Sequence, residues 1–243
     1  MIKRRQRRNL ILQLFMPCVM DQAAPHMGRA VVQLLERLGV AWTYPPDQTC
    51  CGQFAWTVGD PATARRLLRH FIQVFAGPEI ILCPSASCSH MVRQNYPELA
   101  QDAQERRNIE AVAGRVRELS EWLAGRGHLP WTPRFSGALV LHRSCKAREL
   151  GVLPAMAQVL SQVEGLELLE VSPYYSCCGF GGVFSLQHPS LSRDIGEAYL
   201  EAVKATGAQG LVSLEASCLL HLKEIAQDRG MKMQFLHLAE VLI

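Results

Sequence analysis

The sequence predicts an α/β protein built from two pseudo-symmetric, Rossmann-like repeats, each a parallel sheet flanked by helices. Two observations point there. The first is the placing of nine cysteines, at 18, 50, 51, 83, 88, 145, 177, 178 and 218. Cys18 precedes Cys50 by 32 residues, and Cys145 precedes Cys177 by 32; both intervals end in Cys-Cys-Gly. A further cysteine follows each pair, Cys88 in SASCSHM and Cys218 in EASCLLHL. Three columns recurring in one order mark an internal duplication. The second observation is that short apolar runs alternate with amphipathic helical patterns, which implies parallel strands joined by helical crossovers.

Taken in order, LILQLFMPC reads as a strand ending at Cys18, RAVVQLLERLG as a helix, VAWTYPP as a second strand, and DPATARRLLRHFIQVFAG as a helix opened by Asp60 and Pro61. The strand EIILCP then leads to Cys88. A helical stretch over 101–126 is expected to bridge to the second half through RGHLPWTPRFSG, with the boundary near Pro130, giving units 1–130 and 131–243. The second half repeats the order: GALVLHRSC, the helix LPAMAQVLSQVEG, the strand LELLEV, the helix HPSLSRDIGEAYLEAVKATG opened by His188 and Pro189, and the strand GLVSL before Cys218. Ligands of such folds bind at strand ends, where Cys18, Cys88, Cys145 and Cys218 fall, so one cysteine cluster per half is expected.

A chain of 243 residues with 49% hydrophobic content can bury a sizeable core. Its net charge of +3 is concentrated in Lys3, Arg4, Arg5, Arg7 and Arg8. That arm carries no aromatic residues and reads as a solvated tail, so no nucleic-acid partner is expected. The following run NLILQLFMPCVM invites comparison with a signal peptide, but DQAAPHMGRA offers no clean small-x-small cleavage site, and Pro17 before Cys18 argues against a lipoprotein. No stretch reaches the roughly 18 apolar residues of a membrane span, and a cytoplasmic location is expected. Nine cysteines in a chain too large to depend on disulfide stapling suggest metal or redox chemistry.

Adjacent thiols on a strand would face opposite ways, so Cys50 with Cys51, and Cys177 with Cys178, can reach one centre only from an irregular loop, which Gly52 and Gly179 permit. Gly179, Gly181 and Gly182 further suit a loop whose N–H groups turn inward towards an anion such as thiolate or sulfide. Four thiolates in a dry site need a cation. Structural zinc usually takes paired C-x₂₋₄-C knuckles, which the aligned cysteines lack, whereas a 4Fe-4S cluster accepts thiolates from distant loops. The spacing therefore favours one or two 4Fe-4S clusters, with zinc as the alternative. Cys83 has no counterpart in the other half and reads as a small buried hydrophobe. His142 and His221, near Cys145 and Cys218, read first as ordinary packing and second as outer donors to a cluster. The GFGG run lacks the full dinucleotide fingerprint.

On these residues the chain resembles the cysteine-rich (CCG) family of iron-sulfur proteins, which includes the CCG-bearing chain of heterodisulfide reductase and the iron-sulfur chain of glycolate oxidase. CCGFGGVFS, SCLLHL and the ending FLHLAEVLI most resemble its lactate-utilization branch, and the likeness covers nearly the whole chain from Asn9. The resemblance implies an electron-carrying oxidoreductase subunit working with lactate utilization proteins B and C, or similar subunits, in the oxidation of L-lactate to pyruvate. It also implies the ligand sets Cys18, Cys50, Cys51, Cys88 and Cys145, Cys177, Cys178, Cys218. There is one departure. The heterodisulfide reductase chain ends its pattern in Cys-x-x-Cys, and here the earlier position is Ser85 in one half and Glu215 in the other. Four thiolates per half suit ordinary electron-transfer clusters, or one cluster beside a vestigial site. Ser85 could donate a hydrogen bond to sulfur, and Glu215 could serve as an oxygen ligand, an outer acceptor or merely a solvated loop charge. No flavin or nicotinamide motif is convincing, so catalytic residues stay unassigned and the chain alone is not expected to oxidise lactate. A zinc-bound or metal-free scaffold is the alternative of a different class, and a subunit of a glycolate oxidase or heterodisulfide reductase-like complex is the alternative that the resemblance also implies.

Overall fold

The computed structural model describes residues 11–175 and 177–243; the basic arm, Lys3 to Arg8, lies outside the described residues. The first half runs β1 (Leu12–Leu14), α1 (Cys18–Gln22), α2 (Pro25–Arg37), β2 (Trp42–Thr43), α3 (Gln53–Thr57), α4 (Pro61–Val74), β3 (Ile80–Cys83) and α5 (Ala86–His90). A π-helical turn at Met91–Asn95 and a 3-10 turn at Tyr96–Leu99 then lead to α6 (Ala103–Ala113), β4 (Val116–Glu118) and α7 (Leu119–Ala124). The second half runs β5 (Arg134–Leu141), α8 (Cys145–Leu150), α9 (Leu153–Leu160), β6 (Glu164–Leu169), α10 (Phe184–Gln187), α11 (Pro189–Ala205), β7 (Gly210–Ser213), α12 (Ala216–Asp228), β8 (Gln234–His237) and α13 (Leu238–Leu242).

Each half forms a four-stranded, all-parallel sheet, in the orders β2-β1-β3-β4 and β6-β5-β7-β8. The predicted α/β class and the two-fold repetition are both present. Equivalence extends to single bonds: the N–H of Phe15 donates to the Leu82 carbonyl, and that of His142, at the same position of the repeat, to the Val212 carbonyl, each at 2.9 Å. In both sheets the chain steps outward from the central strand to one neighbour and returns on its other side. The switch points therefore lie between β1 and β3 and between β5 and β7, where an open parallel sheet leaves a crevice.

The expected helical bridge over 101–126 is corrected. Gly114 ends α6, and Val116–Glu118 pairs with β3 as an edge strand, with Ile81 opposite Val116. Val116 and Glu118 are buried with Arg117 between them less so, a period of two that three residues cannot display against a charged helical surround. β8 has the same place in the second half, so VRELSEWLA and FLHLAEVLI form a repeated column without cysteine. Glu118 caps α7 by accepting from the Ser120 N–H at 2.7 Å, and His237 caps α13 by accepting from the Ala239 N–H at 3.2 Å.

One apolar cluster runs through both halves, from Leu14 and Leu34 to Leu139, Val212 and Leu222. A second, in the first half, gathers Phe15, Phe71, Phe75 and Tyr96, with Phe15 edge-on to both other phenylalanines. Between the halves α5 packs on α8 and α1 on α12, contacts that exchange under the pseudo-symmetry. Among the described residues, no helix is long and apolar enough to cross a membrane.

Candidate metal centre

Four strands deliver four cysteines to helix starts. β1 passes through Pro17 to Cys18, the first residue of α1, and β5 passes through Ser144 to Cys145, the first residue of α8. β3 leads to Ser85, whose hydroxyl caps α5 by accepting from the Cys88 N–H at 3.2 Å. β7 leads to Glu215 at the start of α12, three residues before Cys218. The other four thiols come from the two Cys-Cys-Gly loops. Gly52 and Gly179 both take left-handed backbone, φ 86° and 87°, and turn their N–H groups back onto Cys50 Sγ at 3.3 Å and Cys177 Sγ at 3.4 Å. A Cβ on Gly179 would stand 2.2 Å from the Ser192 carbonyl oxygen, so glycine is also a steric requirement there.

All eight cysteines line a single cavity of about 450 Å³ between the halves. The packing of α5 on α8 and α1 on α12 points both switch points at each other, so the two expected cysteine groups, one per half, face one shared cavity. Each half contributes a buried inner pair, Cys51 with Cys88 at 3.4 Å and Cys178 with Cys218 at 2.8 Å between sulfurs. Cys18 and Cys50 are half-buried, and Cys145 and Cys177 are exposed. Gly181 and Gly182 lie on the wall, and Phe54 meets Phe180 edge-on across the two halves. Cys83 is buried in the first half's apolar cluster, away from the cavity wall.

Glu215 is not a solvated loop charge; it is 3% exposed and reaches into the other half. Its carboxylate accepts from the Ser87 N–H at 2.5 Å, the Ser87 hydroxyl at 2.7 Å and the Ser85 hydroxyl at 3.1 Å. The Ser85 hydroxyl thus meets Glu215, and Ser85 is also among the groups that hold the Cys88 thiol down, after Cys51 and Cys83. His221 sits beside Ser192 Oγ at 3.2 Å and against the Phe180 ring, off the cavity wall. His142 is on that wall. It is 1% exposed, and one ring nitrogen lies with Cys178 Sγ and Cys218 Sγ in a group whose members are all within 4.8 Å of one another. The sequence put ordinary packing first for this residue and an outer donor to a cluster second. The usable signal was that its repeat partner is Phe15, so a polar ring stands where the fold accepts an apolar one.

Residues 12–93 and 139–223 each match the CCG cysteine-rich domain. The chain belongs to the cysteine-rich CCG domain family. Among its relatives are lactate utilization protein A 2 of Bacillus cereus, 33% identical over 234 residues, or 95% of this chain and 97% of the relative. Lactate utilization protein A of an Exiguobacterium species is 35% identical, covering 94% and 95%. Lactate utilization protein A 1 of Bacillus anthracis is 32% identical, covering 95% and 97%.

The electrostatics of the CCG cavity follow from crowding. Hydrogen bonds from Cys18 and Cys51 and from the Gly52 N–H hold the Cys50 thiol down, to about 3, while Cys18, sharing its proton with Cys50 in a partly buried place, is pushed up. Cys88 is lowered by Cys51 and Cys83 as donors, and Cys51 is correspondingly raised. In the second half all four thiols, Cys145, Cys177, Cys178 and Cys218, are raised; neighbouring sulfurs cannot all ionise together without a cation. Burial likewise pushes Glu215 up to about 8 and holds the His142 imidazole down at about 4, in its neutral, ligand-competent form. A wall of soft sulfur donors with one neutral imidazole fits a metal ion or iron-sulfur cluster and does not fit a hard oxygen-seeking cation.

Proposed function

We propose that this CCG protein is the iron-sulfur electron-transfer subunit of an L-lactate-oxidising assembly. The observation that carries the proposal is the convergence of both repeats' cysteines on one cavity. In this reading Cys18, Cys50, Cys51 and Cys88 hold one 4Fe-4S cluster, and Cys145, Cys177, Cys178 and Cys218 a second. A bound cluster supplies one-electron exchange. The chain's own part is to gather the thiolates, keep water from the inner pairs, and direct the Gly52 and Gly179 N–H groups at sulfur, where such donors tune the potential. The exposure of Cys145 and Cys177 puts one edge of the site at a surface that a partner can cover. The names of the relatives support lactate as the substrate of the assembly; lactate utilization proteins B and C as its other members rest on the family resemblance. Nine unpaired cysteines suit a reducing compartment, in keeping with a cytoplasmic location.

A second reading, a zinc-bound scaffold, is favoured by one observation. The inner sulfurs stand 3.4 and 2.8 Å apart, nearer to the roughly 3.8 Å that two thiolates span on one tetrahedral ion than to the wider separation of thiolates on different irons of a cubane. Iron, sulfide and zinc counts with an absorption spectrum of anaerobically purified protein distinguish the two. Lactate-dependent dye reduction by the chain alone, and with candidate partner subunits, tests the relay. Iron and sulfide with activity only in the assembly support it; zinc without sulfide, or turnover by the lone chain, overturns it.

A further inference from the structure

We infer that His142 is a metal ligand of the second CCG domain, joining Cys178 and Cys218 in a mixed thiolate-imidazole centre, while the first domain's centre is held by thiolates alone. The inference rests on the reading that this cavity holds metal, and adds that its two halves are chemically unequal.

Four observations carry it. His142 is 1% exposed, yet its Nε2 has no hydrogen-bond partner in the protein, a costly state for a buried polar atom unless something else meets it. Its other ring nitrogen, Nδ1, is 2.8 Å from the hydroxyl of Tyr199, itself buried. That is how metal-bound histidines are oriented: one nitrogen is engaged by an outer partner, and the other presents its lone pair to the metal. The ring lies on the cavity wall, close to the two most buried thiols of its half. Finally, the fold does not require an imidazole there. Phe15 makes the same backbone bond in the first half, where it packs against Phe71 and Phe75 and does not reach the cavity.

The fourth position of the second centre falls to one of the outer thiols, Cys145 or Cys177, and the other then drops out of the four-cysteine set proposed above. The ligand class that thiolate and imidazole select together is zinc, iron or an iron-sulfur cluster, not magnesium or calcium. Exchanging a thiolate for a neutral imidazole removes one negative charge and, in an iron-sulfur centre, raises the potential. The two halves then differ in electron affinity, and the second is the electron's resting place.

The test uses the full chain, metal-free, titrated anaerobically with Co²⁺ as the probe, and separately the chain reconstituted with iron and sulfide. His142→Phe, the residue of the other repeat, is expected to weaken one Co²⁺ site at least about 100-fold and leave the other intact; Tyr199→Phe is expected to weaken the same site about 10- to 100-fold. His142→Cys should restore binding, with stronger sulfur-to-cobalt absorption. In the reconstituted wild type, labelled with ¹⁵N-histidine, pulsed electron paramagnetic resonance should show the strong nitrogen coupling of a direct ligand. Unchanged Co²⁺ affinity and spectrum in a folded His142→Phe protein overturn the inference. So does wild-type nitrogen coupling that is absent or only as weak as a hydrogen bond gives, a measurement that stands even if the variant fails to fold. Clusters in both halves without nitrogen coupling refute the inference and leave the relay intact; imidazole-bound Co²⁺ in a chain that assembles no cluster does the reverse.

Discussion

Ser85 and Glu215 hold the same position in the two repeats, and they meet: the Ser85 hydroxyl donates to the Glu215 carboxylate at 3.1 Å across the junction of the halves. These are the two positions where the longer family pattern has a cysteine. Instead of a further thiol per domain, the chain has a cross-domain tie beside the cysteine-lined cavity. The carboxylate of one domain also takes the Ser87 N–H in the first turn of α5, the helix that carries Cys88 in the other.

Removal of that tie should loosen the junction. Glu215→Ala leaves the Ser87 N–H and two hydroxyls without their acceptor, and is expected to cost about 1–3 kcal/mol in urea unfolding of the metal-free protein. Glu215→Gln keeps an acceptor for the N–H while the hydroxyls can rotate to meet its amide, so its cost should be clearly smaller. Equal losses for the two variants would assign the effect to packing.

The equivalent caps Glu118 and His237 should respond oppositely to pH. Burial raises Glu118 to about 7 from an ordinary 4.5, so the unfolded chain ionises first. Its contribution is complete below about 4.5 and is lost as pH rises to about 7. Burial lowers His237 to about 4 from 6.5, so its contribution is complete above 6.5 and is lost as pH falls to about 4. Relative to wild type, Glu118→Gln should therefore gain roughly 3 kcal/mol between pH 4.5 and 7, and His237→Asn a similar amount as pH falls from 6.5 to 4. Urea midpoints across pH 4–8 check both signs.

Two glycines with the same backbone sign separate strain from collision. Gly207 has φ 79° with open space around it, so Gly207→Ala should cost only about 1–2 kcal/mol for left-handed backbone. Gly179→Ala adds the collision with the Ser192 carbonyl and should cost more, while displacing Cys177 and Cys178. Melting temperature and bound metal should fall together at Gly179, and the melting temperature alone at Gly207.

Cysteine content does not equal ligand content. Cys83→Ala should retain full metal binding and lose about 1 kcal/mol of stability from a small buried void. Cys88→Ala should lose metal from the first domain. Metal counts on the two purified variants decide it; a loss with Cys83→Ala would place that thiol among the ligands.

By itself the sequence determined the duplication, the α/β alternation and the delivery of cysteines to strand ends, because these are written in spacing and in periods of a few residues. Gly52 and Gly179 were legible for the same reason: one local backbone state lets adjacent thiols face one way. Strands β4 and β8 were not, since three or four residues show little periodicity and take their order from hydrogen bonds to a neighbouring strand. Nor was the shared cavity, because it depends on how α5 meets α8 and α1 meets α12, a fit spread over many side chains far apart in sequence. The orphan nitrogen of His142 and the crossing of Glu215 to Ser85 belong to that docking. A buried polar atom declares its need for a partner only when the packing around it has excluded water, and only the tertiary structure says where that has happened.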